Sequence, residues 1–274
     1  MTGLPGADLA KKCEADMQLE HELKNRLNNK KILLMTHLVL GYPSFAVNRE
    51  VIRQMATAGV DCIELQIPFS EPIADGPVIL KANQQSLENG ISVEECFRFG
   101  QEMAAAFPEV RFLFMTYYNI VFKYGEHAFL QRTRDIGFCG TIVPDLPPEE
   151  GQTYLANSKE LGLAPVQFFT PTSSDARMRE VAAQAAGFIY CVARRGVTGK
   201  QTTFDDNLDR YLVRCRRATS LPLAVGFGIG SREDIALLVG KADMAVIGTA
   251  TIKLVDAQGP EAVGPFIAGL LAED

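Results

Sequence analysis

Cys62-Ile63-Glu64-Leu65-Gln66-Ile67-Pro68-Phe69-Ser70-Glu71-Pro72-Ile73-Ala74-Asp75-Gly76-Pro77 changes character halfway. Residues 62–67 are a short, mostly apolar run that reads as a strand. The chain then breaks into a loop punctuated by Pro68, Pro72, Gly76 and Pro77, and a helical pattern over 79–88 follows. Strand, polar loop and helix form the unit from which parallel sheets are built, because parallel strands need a crossover to return to the same end. Glu64 is out of place in this strand. A strand covered on both faces should be almost continuously apolar, so a carboxylate inside it is either paired with a buried cation, turned off an edge, or there for chemistry.

The unit recurs along the chain. Strands are predicted at residues 32–40, 62–67, 111–116, 140–143, 164–169, 188–192, 221–225 and 242–247. Helices are predicted at 17–28, from Ser44 as N-cap to 58, at 79–88, 92–106, 127–135, 149–161, 174–186 with Gly187 as cap, 205–218, 231–239 and 260–271, with a short helical turn after strand eight. Residues 1–16 show no periodicity and read as a loose tail, leaving 17–274 as one domain. Eight strand–helix units without hairpin signals predict a closed (β/α)₈ barrel preceded by an N-terminal helix, with an eight-stranded open sheet as the alternative.

Composition narrows the function. The 274 residues carry a net charge of -6 and no long basic run, which argues against a nucleic-acid partner. The six cysteines lack paired spacing and read as reduced thiols of a cytoplasmic protein. The three histidines lack metal-ligand spacing. No apolar run reaches the length that spans a membrane, and no secretory leader is visible at the start.

In a barrel, the loops after the strands build the site, and here they are rich in glycine, proline and polar residues. Gly226-Phe227-Gly228-Ile229-Gly230 and Gly248-Thr249 follow strands seven and eight and suit a phosphate, whose oxygens accept from glycine backbone N–H groups and a helix N-terminus. The segment from Arg194 to Thr203 suits a lid. A Schiff-base aldolase needs a lysine near the strand C-termini, and no strand has one. Acid–base chemistry by Glu64 and Asp75, with neither metal nor other cofactor, remains.

Ile63-Glu64-Leu65, Ile67-Pro68-Phe69-Ser70, Ala74-Asp75-Gly76-Pro77, Thr116-Tyr117-Tyr118-Asn119, Val143-Pro144-Asp145-Leu146-Pro147, Gly187-Phe188-Ile189-Tyr190, Gly196-Val197-Thr198-Gly199 and Gly226-Phe227-Gly228-Ile229 together resemble the tryptophan synthase α subunit and its stand-alone relatives, the indole-3-glycerol phosphate lyases. The likeness runs over residues 32–253. It implies cofactor-free retro-aldol cleavage of indole-3-glycerol phosphate to indole and glyceraldehyde 3-phosphate. Glu64 then matches the acid–base, and Asp75 the carboxylate that accepts from the indole N–H. Tyr190 and Phe227 match pocket aromatics, and Thr198 a lid threonine. Gly199, Gly228, Gly248 and Thr249 match the phosphate seat.

The departures are local. His37 stands where an aromatic side chain commonly faces the indole, Gln66 where a glycine is usual, and Tyr42 and Glu71 where aspartates are usual. Glu71 lies in the segment that, in the two-subunit enzyme, faces the β chain. The resemblance therefore allows a β-dependent α chain, a stand-alone lyase, or a weakly active regulatory partner.

Overall fold

Backbone hydrogen bonds join eight parallel strands side by side in chain order, and β1 pairs with β8 to close the ring. The computed structural model describes residues 18–193, 206–226 and 228–272. The first half runs α1 (Gln18–Leu27), β1 (Leu33–Val39), α2 (Phe45–Thr57), β2 (Cys62–Gln66), α3 (Pro77–Glu88), α4 (Val93–Ala106), β3 (Arg111–Met115), α5 (Tyr118–Tyr124), α6 (Glu126–Asp135) and β4 (Gly140–Ile142). The second half runs α7 (Gln152–Glu160), β5 (Ala164–Phe169), α8 (Asp175–Ala182), β6 (Ile189–Val192), α9 (Asp206–Ala218), β7 (Leu223–Gly226), α10 (Arg232–Ala236), β8 (Met244–Ile247) and α11 (Thr249–Gln258). A 3₁₀ turn (Pro260–Ala262) and α12 (Val263–Leu271) complete it. This is the (β/α)₈ barrel expected; the tail over 1–16 and the lid segment 194–203 lie outside the described residues.

Alternation along each strand sorts side chains between two cores. Leu34, Leu38, Ile63, Leu65, Phe112 and Phe114 point outward into the layer shared with the helices. Leu33, Met35, Cys62, Leu113, Ile142 and Val166 point inward and fill the barrel. On that parity His37 follows Met35 inward, and Glu64 and Gln66 follow Cys62, so three polar side chains crown an apolar plug. Leu19 and Leu23 of α1 join the inner cluster and cover the barrel at its N-terminal end. Asp61 ties α1 down, accepting from Arg26 at 3.2 Å, Lys30 at 2.7 Å and the Leu34 backbone N–H at 3.0 Å.

One unexpected helix and four shifted boundaries depart from the expectation. Residues 118–124, where no helix is expected, form α5. Its exposed Phe122 hides any apolar periodicity, and its first N–H, that of Tyr118, donates to Asp145 from the loop after β4 at 2.9 Å, a partner distant in sequence. α8 ends at Ala182, not 186, and Gly187 does not cap it. Gly187 has φ +78°, and a Cβ there would lie 2.8 Å from the Ala164 Cβ and 2.9 Å from Leu19, so close packing needs the glycine. α10 stops at Ala236, where Val239 turns to bridge Ala242. β7 and β8 each start two residues late, because Asp243 accepts from the Leu223 backbone N–H through its side chain and from the Leu33 N–H through its carbonyl.

Gly140 of β4 pairs with Ala164 of β5 so closely that an added Cβ would lie 2.3 Å from the Ala164 carbonyl oxygen. Gly140→Ala is expected to lower unfolding free energy by about 1–3 kcal/mol, the usual scale of overpacking. Urea unfolding of the variant beside the parent checks this; equal midpoints would mean that the two strands separate freely here.

Candidate active site

β2 sets the site. Glu64 and Gln66 lie two residues apart on its inner face, and the loop that follows brings Asp75 back over them. The loop is held at both ends. The Phe69 N–H donates to the Asn83 side chain of α3 at 2.9 Å, and the Ala74 N–H donates to the Tyr117 hydroxyl at 3.0 Å. Tyr117 in turn donates to Asp75 Oδ2 at 3.1 Å, and Gln66 Nε2 donates to the same oxygen at 2.7 Å. Asp75 is thus oriented by two neutral donors, and its Oδ1 is not used by either.

β1 supplies the partner of Glu64. The β1–β2 register sets His37 beside Glu64, and His37 Nδ1 lies 3.1 Å from Glu64 Oε1. Both side chains are only 4% exposed. Burial acts to lower the proton affinity of His37. The hydrogen bond and charge of Glu64, the charge of Asp75 and the Gln66 carbonyl outweigh it, so the ring holds its proton above its ordinary range. Glu64 Oε2 and His37 Nε2 are buried with no hydrogen-bond partner among the described residues.

These groups line a cavity of about 350 Å³ at the C-terminal ends of the strands. Phe168 and Tyr190, with ring centroids 5.3 Å apart, form one wall. Burial, together with the charges of Glu64 and Asp75, pushes the Tyr190 phenol well above its usual range, so it stays a neutral donor. Gly226 makes room for this ring, since a Cβ there would lie 2.7 Å from it. Gly228, Gly248 and Thr249 line the other side. Gly228 has φ +67°, a conformation that favours glycine, and α11 begins at Thr249 with no side chain capping its N-terminus. First-turn N–H groups of an uncapped helix suit an anion.

Of the residues picked from the sequence, Glu64, Asp75, His37, Tyr190, Gly228, Gly248 and Thr249 therefore meet around one cavity. Thr198, Gly199 and Phe227 lie outside the described residues. Gln66 and Tyr117 were not expected to serve the site, and they hold Asp75; Tyr117 belongs to one of the quoted motifs, which was a usable signal. Tyr42 is not among the cavity-lining residues. It packs on Ala82 and Ile252, and its hydroxyl donates to Asp256 of α11 at 2.9 Å. A larger cavity, about 580 Å³, lies at the opposite end of the barrel, where Arg216 and Lys241 are paired with Asp243 and Asp209. It has none of the carboxylate geometry described above. Among the described residues no group of three or more potential metal ligands gathers, and no helix is long and apolar enough to cross a membrane.

Comparisons with known proteins point to one family. The family model described as tryptophan synthase alpha chain matches residues 23–264. A tryptophan synthase alpha chain of Desulfotalea psychrophila is 61% identical over 254 residues, which cover 93% of this chain and 100% of the relative. That of Desulforapulum autotrophicum is 56% identical, covering 92% and 99%. Among solved structures, tryptophan synthase from M. tuberculosis superposes with a TM-score of 0.83 at 26% identity, over 93% of this chain and 99% of that one. A tryptophan synthase alpha-subunit from Pyrococcus furiosus gives 0.79 at 28% identity, over 87% and 97%. A paired carboxylate site at the mouth of an eight-stranded barrel and relatives matched over nearly their whole length lead to one assignment: the chain belongs to the tryptophan synthase alpha chain family.

Proposed function

We propose that the chain is a lyase that cleaves indole-3-glycerol phosphate to indole and glyceraldehyde 3-phosphate, with Glu64 and Asp75 as its catalytic residues. The observation that carries the reading is the pair of carboxylates converging on one cavity from β2 and its loop. Cleavage moves one proton. Ring carbon 3 must gain a proton before the carbon–carbon bond can break, and the neighbouring hydroxyl must lose one. The bond's electrons then return to the ring as indole while the hydroxyl carbon becomes the aldehyde, so nothing is oxidised overall. Glu64, with Oε2 free beside the cavity, handles both transfers. Asp75, already oriented through Oδ2, accepts from the indole N–H and offsets the positive charge that protonation puts on the ring. His37 and Tyr190 line the ring's end of the cavity, with Phe227 assigned there by resemblance. Gly228, Gly248 and Thr249 hold the phosphate, with Gly199 assigned there by resemblance, and Thr198 is by resemblance the lid threonine. The reading includes a cytoplasmic location, in keeping with a biosynthetic family.

A tryptophan synthase β chain is the partner. Ile73, in the loop after β2, is 80% exposed, and Phe122 on α5, after β3, is 69% exposed. Both follow C-terminal ends of adjacent strands, where an apolar rim suits a docked chain.

Glu64→Gln should cut indole release by about a hundred- to ten-thousandfold with the fold intact, because an amide cannot relay the proton. Asp75→Asn keeps an acceptor for Gln66 and Tyr117 but loses the charge, and a fall of about a hundredfold or more is expected. Indole release by either variant within tenfold of the parent would remove that carboxylate from its role. Thr249→Val should raise KM, and weaken competition by inorganic phosphate, about tenfold or more, the scale of a hydrogen bond to a charged group; unchanged constants would move the phosphate elsewhere. Adding the β chain from the same source should speed indole release and co-elute with this chain, and Phe122→Lys should abolish both effects. A parent chain that neither binds nor responds to β would be a stand-alone lyase.

A further inference from the structure

Among the described residues lining the active-site cavity there is no lysine or arginine, yet two carboxylates lie in it. The basic group set against them is His37. Glu64 faces it from β2, Asp75 from the loop above, and Tyr190 from β6, while Gly248 at the end of β8 packs beside its Cβ. Tyr190 stays neutral, as described above. Glu64 is buried and Asp75 half-buried, and two carboxylates facing one cavity are unfavourable unless one of them is protonated or a cation joins them. The imidazole is buried to the same degree as Glu64 and is hydrogen-bonded to it across neighbouring strands whose register is fixed. It is therefore an inner part of the site and not a surface neighbour.

We propose that His37 is a positioning residue for proton transfer, holding Glu64 by Oε1 and storing beside it the one proton that Glu64 delivers to the substrate ring. The inference rests on the lyase reading above. At the start of a turnover the pair holds a single proton, as imidazolium with carboxylate or as imidazole with carboxylic acid. Glu64 passes this proton to ring carbon 3, leaving imidazole beside carboxylate. Glu64 then takes the proton of the neighbouring hydroxyl as the carbon–carbon bond breaks, and the pair regains its starting state. No proton need come from solvent during the cycle, and His37 reaches the transferred proton only through Glu64. The hydrogen bond joins the two side chains, so the proton they share, and not either side chain alone, serves the cycle.

The sign of the pH dependence follows. His37 is raised above its ordinary value, so the stored proton persists to higher pH than an ordinary imidazole would keep it and is lost as pH rises through the raised value. Indole release should fall on the alkaline side. His37→Asn retains an N–H donor near the Nδ1 position but cannot store a proton. In this variant the alkaline fall should move to lower pH, with kcat near pH 8 reduced about tenfold or more in addition to any change in KM that loss of the ring from the cavity wall brings, the pattern of a lost proton-transfer aid. A profile that superposes on the parent's after scaling, or a loss carried wholly by KM, would overturn the proposal.

A second measurement needs no variant of His37. The sequence has only three histidines, so imidazole ¹⁵N resonances of the parent protein can be followed through a pH titration. His37 should titrate above the ordinary histidine value of about 6.5 and fall back toward it in Glu64→Gln. A His37 that titrates at or below that value, or ignores Glu64→Gln, would sink the pairing even in an active enzyme. A parent with the expected titration that cannot cleave indole-3-glycerol phosphate would instead defeat the lyase reading.

Discussion

Closure of the sheet is the constraint on which the rest depends. Leu33 to Thr36 of β1 pair with Met244 to Ile247 of β8, and this contact converts a row of strands into a ring with no free edge. With the ring closed, alternate residues of every strand have nowhere to point but inward. The lower layers accept this readily, because Leu33, Met35, Cys62, Leu113 and Met244 are apolar and pack under α1. At the upper layer the same geometry forces His37, Glu64 and Gln66 into the interior. Their burial is a consequence of the fold, and their mutual contacts make that burial tolerable.

Those contacts divide the two carboxylates by environment. Glu64 has a titratable partner, His37, whereas Asp75 has two neutral donors, Gln66 and Tyr117. A carboxylate beside an imidazole can exchange a proton with it. One held by an amide and a phenol is oriented but gains no exchangeable proton from its partners at neutral pH, since the Tyr117 phenol is itself pushed far up by burial and by Asp75. The arrangement separates proton handling from charge stabilisation, which is how two identical functional groups take different roles in one site.

A barrel of this kind carries many chemistries, so membership of the fold alone would say little about activity. The specific content lies in the loops after β2, β7 and β8. The first is pinned by Asn83 and Tyr117, which keeps Asp75 over the cavity, while Ile73 at its tip stays exposed. One short loop thus connects the catalytic carboxylate to a surface where a second chain can dock, and a partner that presses on Ile73 acts within two residues of Asp75.

The amino-acid sequence by itself determined the eight-fold repeat of strand and helix, and so the barrel, because each strand is apolar and each crossover has helical periodicity. It also singled out Glu64, as a charge inside an apolar strand, and the glycines at 228 and 248, as turns after the last two strands. Tertiary structure alone decided the rest. α5 is capped by Asp145, 27 residues away, and local periodicity carries no record of such a partner. Gly187 serves packing against Ala164 and Leu19, not the end of a helix. His37 and Gln66 read from the sequence only as departures from a familiar pattern. Their significance depends on strand register, which sets His37 opposite Glu64, and on the fold of a loop, which brings Asp75 to Gln66. Neither distance is local along the chain, because hydrogen bonds between strands and across loops form only once the barrel has closed.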